Sequence, residues 1–555
     1  MTLRDTIAPL IQGDVMDDDA TRAQYSRDTS IFERRPEVVV FPKTADDVSA
    51  VVRFVGEQKR AGTDISLAAR SAGTDMTGGS LTSHVSLVFT KYMNRIVSVV
   101  PGFGETDGGV VTAEPGAYYR DVEKETLAKT GGLLASYPAS RQLCAIGGIV
   151  ANNSGGELTL RYGKTNRYVR QLKVVLADGS QTTLSRLSPA ELLAKKQADT
   201  FEGRVYRELH ELIRNNRNEI AAAKPTVTKN SAGYALWDVE TQDGSLDLTQ
   251  LVCGSQGTLA IVTEASLALV KPKPHRAMLV IFLSDLGLLP DIVKRVRGVG
   301  PESFESYDDH TFSLAVRFLP QMLGQLGFWQ MLTLGLAFIP ELWLAATGGI
   351  PKLVLMAEFA EDTSAQALEK ARDAERLLHG LAVRTRIARS EAQAKKYWTI
   401  RRESFALLRK NMKGLYAAPF IDDFVVHPDD YPTFLPELNA VLDQYHLTYT
   451  IAGHIGDANF HIIPLMDISK PESRRAILEL QPKVYELVSK YHGSITGEHN
   501  DGIVRTPYLS AMFSPKMLEI FAAVKKIFDP DGILNPGKKV GGTVADIEAG
   551  MIQNL

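Results

Sequence analysis

Short β-branched runs in this chain open repeatedly into stretches dense in glycine, and that alternation constrains the fold more than any other feature. ISLAARSAGTDMTGG (65–79), SYPASRQLCAIGGIVANNSGG (136–156) and LVCGSQGTLAIVTEASLALV (251–270) are examples. Glycine lets backbone come close to a ligand, and successive N–H groups in such loops form concave anion sites. Arg70–Thr74 has small residues where a phosphate can approach, and Ile146–Gly156 sets four glycines and two asparagines among apolar positions. Neither G-x-G-x-x-G nor G-x-x-x-x-G-K-[ST] occurs, which excludes the Rossmann fingerprint and the P-loop. A flat polar ligand gripped by several separate loops fits this pattern.

The elements between the loops alternate in type. Residues 36–56 read as a strand then a helix, with Thr44 as cap and Val48, Val51, Val52 and Val55 on one face. Residues 110–131 read as strand, turn, helix. VRQLKVVLADGSQTTL reads as a hairpin turning at Asp178-Gly179. Residues 188–222 read as helical, and Leu251–Val270 as strand, turn, strand. Lys271-Pro-Lys-Pro marks a boundary. Beyond it HRAMLVIFLSDLG, MAEFA, VRTRIA and FIDDFVVHP supply strands separated by helices.

Composition removes several classes. With 62 basic and 65 acidic residues and net charge −3, a nucleic-acid binder is not expected. Two cysteines, Cys144 and Cys253, make neither a disulfide framework nor an iron–sulfur site; they are expected as buried small hydrophobes. The N-terminus shows no secretory pattern, so a cytoplasmic protein is expected. Phe318–Pro340 carries no charge, and the apolar insertion continues to Pro351. It reads as a buried helix pair, as a surface that lies on the inner face of a membrane or docks a partner, or as a span.

GHIGDANFH places His454 and His461 either side of a turn at Gly456 and Asp457, and SITGEHNDG adds Glu498 and His499. A turn between the histidines can bring both imidazoles together, and imidazole plus carboxylate suits zinc or manganese.

These motifs, in this order, resemble the FAD-linked D-2-hydroxy-acid dehydrogenase group of the vanillyl-alcohol-oxidase superfamily, whose relatives act on D-lactate, glycolate and D-2-hydroxyglutarate. Arg70, Ser71, Ala72, Gly73 and Thr74, with Thr77 and Gly78, match the loop that holds the FAD pyrophosphate in that family. Pro138 and Ser140 match a P-A-S segment. Gly147, Gly148, Asn153 and Gly156 match an I-G-G-N-V-A-x-N-x-G-G segment, with Ile149 for the usual Asn. Gly257, Thr258 and Ile261 lie in G-S-Q-G-T-L-A-I-V-T, and Asn535 in the final N-P-G. No histidine stands in the first loop, which implies non-covalent FAD.

The resemblance implies that His454, His461 and Glu498 hold a divalent metal, zinc or manganese, with Ala458 where the family has glycine. It makes His499 the base, Asn459 a substrate-orienting residue and Arg401, in W-x-x-R, the substrate arginine, with Arg402 as competitor. A substrate lysine of some relatives has no matching residue within Ala418–Phe424, and the resemblance then favours a D-lactate-like acid over D-2-hydroxyglutarate. The implied fold is α+β: a PCMH-type FAD-binding domain of two α+β subdomains (1–272), an antiparallel-sheet substrate cap (275–495) and a C-terminal segment (496–555) returning to the FAD domain. The implied reaction takes a D-2-hydroxy acid to the 2-oxo acid, with electrons passed to a quinone or partner protein. The alternatives are a flavin oxidase using O₂, a non-catalytic FAD-binding subunit of a larger complex, and a metal-dependent hydrolase.

Overall fold

A computed structural model describes residues 2–102, 104, 107–309, 351–411 and 414–553, without the side chains of 402–411 and 450. The apolar insertion 318–351 lies outside the described residues apart from Pro351, as does the Arg402 side chain.

The first layer is a four-stranded sheet of β1 (Asp14–Met16), β2 (Val38–Phe41), β3 (Leu67–Arg70) and β4 (Val85–Val88), ordered β1-β2-β4-β3. Pairs β2–β4 and β3–β4 are parallel. Such pairs need crossovers, and the helix Ala45–Arg60 supplies one. The Thr44 side chain accepts from Asp47 N at its start, and Val48, Val51, Val52 and Val55 are all buried.

The second layer is antiparallel: β5 (Ile96–Val100), β6 (Val110–Ala113), β7 (Val169–Val175), β8 (Gln181–Leu184) and β11 (Ile261–Ala268), ordered β5-β6-β11-β7-β8. Strands β7 and β8 form the hairpin expected around Asp178-Gly179, where Gly179 takes φ 80°. A short ribbon joins β9 (Arg186–Leu187) to β10 (Leu246–Asp247). Leu251 does not lie in a strand; it belongs to a helical turn, Thr249–Val252, whose Leu251 and Val252 drop into the core. Ile146–Asn152 is likewise a helix despite its two glycines, because burial of Ile146, Ile149 and Val150 overrides propensity. Cys144 and Cys253 are buried and free.

The third layer is an eight-stranded antiparallel sheet. Its strands are β12 (His275–Leu283), β13 (Ser303–Asp308), β14 (Leu353–Glu361), β15 (Arg384–Ala388), β16 (Tyr416–Ala417), β17 (Phe424–Val425), β18 (Thr448–His454) and β19 (Asn459–Met466). The order is β15-β12-β14-β13-β18-β19-β16, with β17 also on β19. Strand β12 is apolar almost throughout because both faces are covered. Leu279 and Ile281 join the core with the helices Leu289–Gly298 and Ser364–Leu377, while Met278 and Val280 meet Tyr397 and Ile400 of the helix Glu391–Asn411. The C-terminal segment returns to the first layer. Leu67 N donates to Ile533 O and Asn535 N to Leu67 O.

Candidate flavin cleft and ion cluster

One cleft collects the glycine-rich loops. Its walls include Ser71, Ala72, Gly73, Thr74, Pro138, Ser140, Gly147, Gly148 and Gly257, and with its open mouth it holds about 1240 Å³. That volume suits a large cofactor. A Cβ on Gly147 would meet the Ser71 Oγ at 2.6 Å, so glycine there lets helix and loop touch. At Gly148 the nearest atom to such a Cβ is 4.0 Å away, so this backbone faces open space where a ligand can lie against it. The loops therefore fit a flat cofactor.

The other residues expected to contact the cofactor stand behind the wall. The Arg70 guanidinium donates to Arg27 O at 2.7 Å and lies over the Tyr25 ring, so it braces the loop from within. Thr77 is tied to Asp75 by its N–H and hydroxyl. Gly78, at φ 77°, packs on Phe32 and Ile503. Asn153 caps its helix in the left-handed region, and its Oδ1 accepts from Asn166 N. Gly156 abuts Tyr137 O. Thr258 meets the Tyr234 hydroxyl at 2.7 Å, and Ile261 is core. The Asn535 amide donates to Gly79 O and Gln256 O, each at 2.7 Å, and so joins two loops. Residues not expected from the sequence also line the cleft, among them Asp75, Asn152 and Gln256.

Glu498 and His499 share this wall. Strands β18 and β19 pair His454 with Asn459 and Ala452 with His461, which puts both histidines on one sheet face as diagonal neighbours. Their rings are 5.2 Å apart, and the His461 and His499 rings 5.0 Å. The three Nε2 atoms converge on Glu498 Oε1, at 3.1 Å from His454, 3.4 Å from His461 and 3.8 Å from His499.

A carboxylate stands behind each imidazole. His454 Nδ1 is 2.7 Å from Glu305 Oε1, His461 Nδ1 2.9 Å from Asp422 Oδ1, and His499 Nδ1 2.8 Å from Asp422 Oδ2. Ionised carboxylates only accept, so Nδ1 of His454 and of His461 carries hydrogen and Nε2 is turned to the centre. Burial lowers the His461 pKa, but Asp422 outweighs it and the ring is pushed up to about 10. For His499 burial also opposes, and Asp423 with Asp422 raise it. Glu498 is held well below the usual carboxylate range; burial opposes this, and Lys229 and His454 prevail.

Asp423 also lies within 4.8 Å of the donor atoms of His461, Glu498 and His499. Its oxygens, however, accept from Asn459 Nδ2, Glu498 N, His499 N and Thr496 Oγ1. Asp423 is thus a brace as well as one of four groups, with His461, Glu498 and His499, whose donor atoms lie close enough together to share an ion; His454 meets this group through Glu498 Oε1. Asn459 gives its amide N–H groups to Asp423 and Phe424 O, and among the described residues its buried Oδ1 has no partner. Arg401 Nη2 donates to Glu305 Oε2 at 3.1 Å, and among the described residues its buried Nε has no partner.

The sequence reading missed Glu305, Asp422, Asp423 and Lys229. The FIDDF string was the one signal available, because two adjacent carboxylates inside an apolar run are costly unless paired.

Two family descriptions match this chain: "FAD binding domain" over residues 36–185 and "FAD linked oxidases, C-terminal domain" over 272–539. Together they cover most of the chain, which belongs to the FAD-linked oxidase family of flavoproteins. It is 28% identical to D-2-hydroxyglutarate dehydrogenase of Pseudomonas putida over 95% of this chain and 50% of that protein. It is 26% identical to glycolate oxidase subunit GlcD of Bacillus subtilis, over 94% of this chain and 93% of that one. Identity to D-lactate dehydrogenase of Anaerostipes hadrus is also 26%, over 96% and 95%. The chain thus spans about half the length of the D-2-hydroxyglutarate dehydrogenases of Pseudomonas putida and Escherichia coli. Among solved structures, 4-ethylphenol oxidase from Gulosibacter chungangensis superposes with TM-score 0.67 at 17% identity, covering 98% of this chain and 97% of that one. p-Cresol methylhydroxylase gives 0.67 at 15%, covering 98% and 96%. These establish the PCMH-type α+β fold. Among the described residues, no helix is long and apolar enough to cross a membrane.

Proposed function

We propose that this chain oxidises a small D-2-hydroxy acid, D-lactate-like rather than dicarboxylic, to the 2-oxo acid. The observation that carries this reading is the shared wall: the glycine loops and the pair Glu498–His499 face one cleft. Bound flavin supplies the two-electron acceptor, and a bound divalent ion supplies charge that acidifies a ligated hydroxyl and favours the neutral neighbouring imidazole.

The chain's own groups do the rest. His454, His461 and Glu498 would hold the ion. Arg401 has only Nη2 engaged by Glu305 among the described residues, which leaves donors for the substrate carboxylate. Asn459, held by Asp423 and Phe424 O, offers its buried Oδ1 as an acceptor. His499, steadied at Nδ1 by Asp422, receives the hydroxyl proton at Nε2. Electrons leave to a quinone or a partner protein; with two buried cysteines, this chain has no thiolate set for an iron–sulfur centre.

The test is anaerobic addition of D- and L-2-hydroxy acids to the purified FAD-loaded protein, following loss of visible flavin absorbance. Bleaching by a D-acid, lost with chelator and restored by zinc or manganese, is expected. No bleaching with FAD and metal both bound would refute the substrate class. His499→Ala is expected to retain FAD and to slow reduction roughly 10²–10⁴-fold.

A further inference from the structure

Glu305 stands at the middle of the eight-stranded sheet, on β13, with 1% of its surface exposed. Burying a carboxylate there is costly unless both oxygens are engaged. Oε1 accepts from His454 Nδ1 at 2.7 Å and Oε2 from Arg401 Nη2 at 3.1 Å. One rigid planar group therefore joins the histidine beside Glu498 to Arg401, whose Nε has no partner among the described residues. The strands on either side of the joint are paired: Ser306 and Tyr307 of β13 are in register with Gly453 and Ala452 of β18. The Glu305–His454 half of the link is thus buried and held by a strand ladder, and Arg401 reaches Glu305 from the helix Glu391–Asn411.

We propose that Glu305 is a positioning residue that couples the two halves of substrate recognition. It fixes the His454 tautomer for the ion and sets the guanidinium of Arg401 for the substrate carboxylate, so that binding at one strengthens binding at the other. Coupling of this kind is reciprocal. The inference rests on the reading of Arg401 and His454 given above.

Two substitutions separate the arms. Glu305→Gln keeps an oxygen for His454 but turns an amide N–H toward Arg401; Glu305→Ala removes both contacts. In the FAD-loaded protein, Mn²⁺ affinity is measured by competition with a chromophoric chelator. The D-lactate concentration for half-maximal flavin reduction is measured at saturating Mn²⁺, and wild-type Mn²⁺ affinity is compared with and without oxalate, a non-reducing anion. Expected are a fall of roughly 10–100-fold in Mn²⁺ affinity for Glu305→Ala, a raised half-saturation for both variants, and tighter Mn²⁺ with oxalate in the wild type that is lost in both. Glu305→Asp should restore part of each. Variants with wild-type Mn²⁺ affinity and half-saturation, whatever their melting temperature, overturn the inference alone. A wild-type protein that binds no Mn²⁺ overturns the ion assignment and the inference with it. If D-lactate fails to reduce the flavin while Mn²⁺ binds, the substrate reading falls, and the Mn²⁺ and oxalate measurements still decide the role of Glu305.

Discussion

Ala458 closes the turn between the two histidine strands at φ 58°, ψ 31°, the left-handed region. An L-residue there costs roughly 1–2 kcal/mol. Its methyl is fully buried, which returns about 0.8 kcal/mol, and glycine would lose roughly 0.5–1 kcal/mol of chain entropy. These effects nearly cancel, so Ala458→Gly is expected to change unfolding free energy by less than about 1 kcal/mol, as read from denaturant curves. A loss of twice that would mean methyl packing dominates. Individual site residues were legible where chemistry and spacing coincide within a few positions: His454 and His461 about one turn, Glu498 next to His499, Arg401 after Trp398. Glu305 and Lys229 were not, because they arrive from remote segments and carry no local motif, and Asp422 showed only as half of an acidic pair inside an apolar run. Their role exists only once β13, the β17 approach and the loop before Asn230 are packed together.

At the level of elements, turn chemistry spoke clearly. The β7–β8 and β18–β19 hairpins follow from Asp-Gly and Gly-Asp turns flanked by apolar runs. The misread segment, Leu251–Cys253, is apolar and short, a case in which periodicity cannot tell strand from helix. The eight-stranded sheet carries its own titration. Glu358 of β14 is packed beneath Trp398, whose Nε1 donates to it at 3.1 Å, and burial pushes its carboxyl up to about 7 against the pull of Trp398 and Arg276. Below the ordinary carboxyl value the group is protonated in both folded and unfolded chains. Between there and about pH 7 only the unfolded chain ionises, so stability falls as pH rises through that window. Glu358→Gln removes the effect. Its melting temperature should gain on the parent between pH 4.5 and 7 and hold the gain above; a gap constant with pH would contradict this.

Across the whole molecule, the site is assembled from parts far apart in the chain. Lys164 donates to Gly497 O at 2.8 Å, and Lys229 lies between Asp457 Oδ2 at 3.3 Å and Glu498 Oε2 at 3.2 Å, so the segment before β7 and the one between β9 and β10 hold a loop that follows the eight-stranded sheet. Asn535 does the same for the cleft by joining the Gly79 and Gln256 loops. Asn535→Ala leaves two buried carbonyls unpaired, at about 1–3 kcal/mol each. It should lower the melting temperature and speed FAD release on dilution, measured by recovery of flavin fluorescence. Retention equal to the parent's would show that the loops hold without it.

That tail has a consequence for how the protein is made. Besides its pairing with β4, Leu67 of β3 exchanges backbone hydrogen bonds with Ile533 and Asn535, and Phe32 is bridged to Met551, so the first layer borrows part of its edge from residues made long after it. Domains tend to fold as units while the ribosome is still elongating, but here the first-made half has to wait for the stretch that carries Asn535. Cofactor uptake then follows synthesis of that stretch, and a nascent chain stalled before Asn535 would hold an open, unfilled nest of loops for a chaperone to shelter.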